Sequence, residues 1–291
     1  MKYAYYPGCS LHSTAREYDI STRAISQALG IELEEIPGWS CCGATSAHMT
    51  SGLLSLALPA RNLLLAQELG LDTLVCCAAC YSRFKAANKA MSSNEDSRAQ
   101  VNEIVGSPYN GEVRVRHFLD VLVTEYGLDA LREKMSRQLT GLRVAAYYGC
   151  LLVRPPEVVE FDDPENPTSM DELTTALGAE AVDWPYKTEC CGGSLALTRT
   201  DVVLKLSHDI LQMAADEGAE CIVVACPLCQ SNLDLRQAQI NKRYKTEFAL
   251  PVLYFTQLLG LGLGMGAREL GLNKLIVSPQ KLLRTGGVRE R

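Results

Sequence analysis

The sequence predicts an α/β protein of two pseudo-symmetric repeats, each a small parallel sheet flanked by helices, with cysteines along the carboxyl edge of the strands. Three observations predict it. First, one cysteine constellation occurs twice. Cys41, Cys42 and Gly43 are followed by Cys77 and Cys80, and Cys190, Cys191 and Gly192 by Cys226 and Cys229, with residues 43–76 and 192–225, 34 in each case, between the adjacent pair and the CxxC. A lone cysteine precedes each set, Cys9 in YYPGCS and Cys150 in YYGCLL. Second, strand-like and helix-like patterns alternate, as a parallel sheet with crossover helices requires. Third, the pieces that close each half match: VRHFLDVL from Val115 corresponds to VLYFTQLL from Val252. Together these mark an internal duplication.

In chain order, residues 2–6 form a tyrosine-rich strand that delivers Cys9 after the turn Pro7-Gly8. Residues 14–29 are good helix formers closed by Gly30, a C-cap signal. Residues 31–36 alternate apolar with acidic, the pattern of a half-buried strand. A turn at Pro37-Gly38 leads to the Cys41-Cys42-Gly43 loop. A helix over 59–69, a buried strand over 73–75 and a helix over 82–91 follow. Residues 92–111 are polar and turn-rich and read as a surface loop, before a strand over 113–116 and a helix over 118–126.

The second half repeats the order: a strand over 143–148, a longer polar connection over 155–169, a segment over 173–178 ending in ALG like 28–30, and a helix over 201–217. A strand over 221–224, a helix over 228–238 and a strand over 252–254 complete it. The expected division is 1–134 for the first repeat, 135–262 for the second and 263–291 for a C-terminal extension. That extension has no counterpart in the first half. It carries Arg268, Lys274, Lys281, Arg284, Arg289 and Arg291, and reads as a partly ordered strap or a docking arm for another protein of the same complex.

Composition narrows the functional classes. With 291 residues, 47% hydrophobic and 21% charged, the chain is long enough for two cores and ordinary for a folded protein. A formal charge of −6 argues against nucleic acid or an anionic membrane surface as the main partner, since both require a basic face. No run reaches the length of a membrane span and MKYAYYPGC lacks a signal-peptide pattern, so a cytoplasmic location is expected. In that compartment dense cysteines point to metal or redox chemistry before structural disulfides. The glycines at 262–266 lack a preceding strand and following helix, so no NAD or FAD binding is expected.

Each repeat supplies five cysteines. One zinc ion takes four ligands, as does a cubane cluster. Two adjacent ligands reach one centre only if the backbone bends sharply, which Gly43 in one copy and Gly192 and Gly193 in the other permit. A larger cluster of unusual shape fits five thiolates better, with structural zinc at each CxxC remaining open and disulfides unable to pair an odd set. Cys76 and Cys221 fall outside the repeat, because Ala225 and Asp72 occupy the corresponding positions, and read as buried strand cysteines behaving as small hydrophobes.

The two copies of a lone cysteine, a CCG and a CxxC resemble the cysteine-rich CCG domains of the heterodisulfide reductase B-type family. The likeness covers nearly the whole chain, including ELGLNKLIVSP in the tail. The resemblance implies one non-cubane [4Fe-4S]-type iron-sulfur cluster per repeat, ligated by Cys9, Cys41, Cys42, Cys77 and Cys80 in the first and by Cys150, Cys190, Cys191, Cys226 and Cys229 in the second. It further implies a small-molecule disulfide lying between the clusters, such as the CoM-S-S-CoB heterodisulfide or a related one, each cluster delivering one electron. Electrons would come through a small ferredoxin-like subunit from a flavoprotein subunit, both members of the same complex. Gly43-Ala44-Thr45 after the first pair departs from the proline of methanogen members, which points to a bacterial-type relative. CCG domains also serve lactate-, glycolate- and succinate-type oxidoreductases, where such a subunit relays electrons or holds a complex in place.

Other residues are candidates by position. His12 and His48 lie close in sequence to the first set, and histidine is the side chain that titrates near neutral pH, so both are candidate proton donors. His117 and His208 read as structural. Arg16, Arg23, Lys187 and Arg199 flank the cysteine loops and are candidates for holding an anionic substrate tail. Tyr5, Tyr6, Tyr147 and Tyr148 recur before the lone cysteines, as strand-end packing or as participants in electron or proton transfer.

Overall fold

The computed structural model describes residues 1–44 and 47–285; Thr45, Arg289 and Arg291 lie outside them. The first repeat runs β1 (Lys2–Tyr6), α1 (Gly8–His12), α2 (Arg16–Leu29), β2 (Glu32–Glu35), α3 (Ala47–Thr50), α4 (Gly52–Leu69), β3 (Thr73–Val75), α5 (Ala78–Ser93), α6 (Glu95–Val105) and β4 (Val115–His117). Three successive helical segments follow, α7 (Phe118–Asp120), a π-helix (Val121–Gly127) and α8 (Leu128–Lys134), with Gly127 at φ +89° breaking the path before α8. The second repeat runs β5 (Arg143–Tyr147), α9 (Pro156–Val159), α10 (Ser169–Ala176), β6 (Glu180–Ala181), a 3-10 turn (Gly193–Leu195), α11 (Thr200–Asp216), β7 (Cys221–Val224), α12 (Pro227–Asp234), α13 (Gln237–Tyr244), β8 (Val252–Tyr254) and α14 (Phe255–Gly262). A 3-10 turn (Leu272–Lys274) and α15 (Gln280–Thr285) complete it.

Each repeat builds one four-stranded parallel sheet, in the orders β2-β1-β3-β4 and β6-β5-β7-β8. The registers correspond: Tyr5 pairs with Leu74 and Leu74 with Arg116, as Ala146 pairs with Val223 and Val223 with Leu253. Central strands β3 and β7 are wholly buried, as expected of strands covered on both faces.

The two sheets share one core through an exchange of helices. From the first repeat, α2 packs on α14 of the second, and α10 of the second packs on α7, the π-helix and α8 of the first. Tyr18 of α2 stacks on Tyr254 with 3.9 Å between centroids, and Ser21 Oγ meets Thr256 Oγ1 at 2.7 Å. Phe118 and Phe255, equivalent in the duplication, approach to 6.2 Å across the seam.

Several elements differ from the sequence expectation. Residues 92–111 are not one loop: α6 occupies Glu95–Val105, capped by the Asn94 side chain, which accepts the Ser97 N–H at 2.8 Å. Helix α4 starts at Gly52, seven residues before Pro59, because Ser51 caps it by accepting from Leu54. Helix α5 starts at Ala78, before Cys80. The single helix expected over 228–238 is two, because Asp234 turns its buried carboxylate to the N–H groups of Ile276 and Val277. The tail is packed against both repeats: Leu270, Leu272, Leu275, Leu282 and Leu283 are buried, and Gln257 Nε2 donates to the Leu270 carbonyl at 3.1 Å.

Candidate metal centre

The cysteines gather where strand ends meet helix starts. Cys77 and Cys226 are the N-cap residues of α5 and α12, and Cys80 and Cys229 lie in the first turns of these helices. A helix start is partly positive, but interaction with neighbouring thiols, and then burial, hold the Cys77, Cys80 and Cys229 thiols well above their ordinary range. Cys9 lies in α1 and Cys150 just after β5, while the two adjacent pairs occupy the loops ahead of α3 and of the Gly193–Leu195 turn.

The adjacent pairs owe their geometry to the following glycine. Gly43 has φ +73° and Gly192 φ +75°, a region open to glycine but strained for other residues, and each amide turns back on the first cysteine of its pair. Gly43 N donates to Cys41 Sγ at 3.4 Å and Gly192 N to Cys190 Sγ at 3.3 Å. Upstream, Tyr6 donates its hydroxyl to the Ser40 carbonyl at 2.8 Å and Tyr147 to the Glu189 carbonyl at 2.6 Å, pinning the residue before each pair. The duplication thus matches Tyr6 with Tyr147. Tyr5 instead donates to Asp19, and Tyr148 engages Asp171 at the start of α10. Burial, and after it the nearby thiols, push the Tyr6 and Tyr147 phenols well above their ordinary range, so both are neutral donors.

Sulfur contacts follow one plan in both repeats. Cys9 and Cys41 lie 3.9 Å apart and Cys42 and Cys80 3.1 Å; in the second repeat Cys191 and Cys229 lie 3.6 Å apart and Cys150 acts electrostatically on Cys190. The Cys77 and Cys226 thiols act on each other electrostatically, and Ala78, next to Cys77, lines the cavity of the second set, so the two sets are neighbours at the seam. Crowding divides the protons. Contact with Cys41 and Cys80 pushes the Cys42 thiol down, contact with Cys229 and Cys77 does so for Cys226, and Cys150 lowers Cys190 to about 6.

The five sulfurs of the second repeat line one cavity of about 80 Å³, whose wall includes Ala78 of the first. Gly149 leaves room beside these sulfurs, since a Cβ there would stand 3.1 Å from Cys229 Sγ. Among the described residues no three or more Cys, His, Asp or Glu side chains close on a point suited to one metal ion. Five sulfurs around one space exceed the four ligands of a single zinc ion and fit an iron-sulfur cluster better.

The other expected residues are placed differently. His12 is exposed and packs edge-on against Trp39 at 5.6 Å; His48 is exposed in α3. Three of the four flanking cations have carboxylate partners: Arg23 pairs with Asp19 and Glu35, Lys187 is buried against Asp171 at 3.0 Å, and Arg199 pairs with Asp201. Arg16 is exposed. For Arg23, Lys187 and Arg199 these carboxylates offset the positive charge near the loops. Cys76 and Cys221 are fully buried, and burial raises the Cys76 thiol to about 12, as fits inert core cysteines. His117 is structural: neutral and fully buried, it donates Nε2–H to the Cys76 carbonyl at 2.8 Å and accepts the Leu119 N–H on Nδ1 at 3.3 Å. Sequence reasoning missed Asn62, which clamps Ser40 through both amide atoms, and Asn232, which touches Cys191. Superposing the two halves by register would have singled out Asn232.

Comparison with known proteins agrees with this geometry. The cysteine-rich CCG domain matches twice, over residues 3–85 and 144–234. The chain is 36% identical over 97% of its length, and 99% of the relative's, to the 8-methylmenaquinol:fumarate reductase membrane anchor subunit of Wolinella succinogenes. It is 32% identical to the B-type subunit of the ferredoxin:CoB-CoM heterodisulfide reductase of Methanosarcina mazei, over 94% of this chain and 93% of that one. A protein of Archaeoglobus profundus, itself named for its likeness to the heterodisulfide reductase B-type subunit, is 35% identical, over 91% of each. A crystal structure of a hypothetical protein from Helicobacter pylori shares the fold, with a TM-score of 0.77 at 15% identity over 95% of this chain; the chain spans about half of that one. The chain therefore belongs to the cysteine-rich CCG domain family, as a two-repeat member related along nearly its whole length to the B-type subunits of heterodisulfide reductase.

Proposed function

We propose that this chain is the disulfide-reducing iron-sulfur subunit of a heterodisulfide-reductase-like complex, its repeats spanning 1–134 and 135–262 with an extension from 263. The observation that carries the reading is the nearness of the two cysteine sets at one seam, where Ala78, next to Cys77, lines the cavity of the second set and the Cys77 and Cys226 thiols act on each other electrostatically. Cleaving a disulfide consumes two electrons and two protons and releases two thiols. Two one-electron centres facing one S–S bond can accomplish this without freeing a thiyl radical. When bound, a non-cubane [4Fe-4S]-type cluster in each repeat would supply that one-electron chemistry.

The chain's own residues hold and shape the site. Cys9, Cys41, Cys42, Cys77 and Cys80 are the proposed ligands in the first repeat, and Cys150, Cys190, Cys191, Cys226 and Cys229 in the second. Gly43, Gly192 and Gly193 give room beside them, and His12 and His48 are the proposed proton donors. The proposed electron source is a small ferredoxin-like subunit fed by a flavoprotein subunit of the same complex. No helix among the described residues is long and apolar enough to cross a membrane, and a cytoplasmic location goes with this reading.

A second reading has its own support. The likeness to the Wolinella succinogenes anchor protein favours a relay that passes electrons within a succinate- or fumarate-type oxidoreductase. Anaerobic iron and acid-labile sulfide analysis, with EPR of protein oxidised in the presence of candidate thiols, separates the two. Two iron-sulfur signals, one altered by a bound thiol, are expected. Iron and sulfide without a thiol-dependent signal would favour the relay, and zinc without iron would end both readings.

A further inference from the structure

The two repeats differ in charge at one equivalent position beside the cysteines. In the second, Asn232 stands one turn beyond Cys229 in α12 and donates Nδ2–H to the Cys191 carbonyl at 3.0 Å, with the Cys191 sulfur 3.6 Å away. Arg236 holds this amide from behind, donating Nε–H to Asn232 Oδ1 at 3.2 Å and a terminal amine to the Ala196 carbonyl at 2.8 Å. The guanidinium thus acts on the sulfur through a neutral amide.

The first repeat moves the charge one turn closer. Three residues beyond Cys80, where the second repeat has Asn232, stands Arg83, and the place of Arg236 is taken by Ala87. Arg83 Nε is buried without a hydrogen-bond partner. Leaving a buried donor on a cation unsatisfied is costly, so such a group implies an acceptor at that place. In the duplication Cys42 holds the place that Cys191 holds beside Asn232, which makes Cys42 the counterpart acceptor for Arg83.

We propose that Arg83 sets the reduction potential of the first repeat's centre, giving the cluster held at Cys42 a hydrogen-bond donor and a fixed positive charge where the second repeat offers a neutral amide. This rests on the reading that each repeat binds an iron-sulfur cluster. Reduction adds negative charge, so a nearby cation and N–H donors to sulfur favour the reduced state and raise the potential. The first centre is then the more readily reduced of the two, and the first of two electrons resides there.

The test uses the intact iron-loaded protein, with iron and acid-labile sulfide assayed before an EPR-monitored redox titration. In Arg83→Asn, one of the two midpoints is expected to fall until the reduced-to-oxidised ratio at fixed potential drops at least tenfold, about 59 mV for one electron. The other midpoint stays, and Arg83→Lys, which keeps the charge, returns the shifted one toward wild type. Asn232→Arg is expected to raise the second midpoint. Fully loaded Arg83→Asn protein with both midpoints unchanged overturns the proposal. If that variant loses iron, Arg83→Gln decides by the same criterion. If neither variant loads, an unmoved midpoint in Asn232→Arg overturns it. Wild-type protein without iron and sulfide overturns instead the underlying reading, and the assay shows this before any titration.

Discussion

Tyr18 of the first repeat lies flat on Tyr254 of the second, 3.9 Å between ring centroids and 9° between planes, and donates its hydroxyl to the Cys76 carbonyl at 2.9 Å. One side chain thus joins the two repeats and anchors the residue preceding Cys77. Removing the ring in Tyr18→Ala is expected to destabilise the protein by about 3–5 kcal/mol, the usual cost of emptying a large aromatic site. Tyr18→Phe, which keeps the stack and loses one hydrogen bond, is expected to cost about 1 kcal/mol. Denaturant midpoints of the three proteins check both; a similar loss in the two variants would contradict the assigned weight of the stack.

His117 makes stability depend on pH. Burial pushes its imidazole down from 6.5 to about 4, so the unfolded chain binds a proton that the folded one refuses. Its contribution is therefore complete above pH 6.5 and is lost as pH falls toward 4, amounting to about 3 kcal/mol in all. His117→Gln is expected to be less stable at pH 7 and to lack this slope. Thermal melts from pH 7 to pH 4.5, wild type against variant, measure the difference; parallel curves would count against it.

The cysteines divide into two classes that iron analysis separates. Replacing Cys42 or Cys191 by alanine is expected to remove about half of the bound iron and sulfide, since each belongs to one of two proposed clusters. Cys76→Ala and Cys221→Ala are expected to retain the full amount, because Cys76 Sγ is engaged by Thr22 Oγ1 at 3.6 Å and Cys221 opens β7, at the other end of that strand from Cys226. Equal iron in all four variants would refute the ligand assignment.

Much of this architecture is legible in the chain because duplication writes it twice. Strands β3, β7 and β8 fall at the expected residues, since each is a short apolar run between a helix end and a turn. Helix α6 was not legible. Of its residues only Val101 is buried, so it carries no apolar stripe, and its start is marked only by the Asn94 cap and the acidic Glu95 and Asp96 of its first turn. Pro59 misled in the opposite direction, because proline ordinarily opens a helix or ends one, whereas here it sits within α4. At the site, the cysteine spacing announces the metal chemistry, but the seam between Cys77 and Cys226 joins residues 149 positions apart and emerges only from the packing of α2 on α14 and α10 on α8.

The joining of both repeats in one chain has a consequence for symmetry. Two identical single-repeat chains meeting about an axis would present every side chain on both sides of it, and any substitution would appear twice. Within one polypeptide, Cys76 answers to Ala225, His117 to Tyr254 and Arg83 to Asn232, while the sheets and sulfur positions remain paired. Fusion thus frees the two sides to diverge and gives polarity to a seam whose backbone has none.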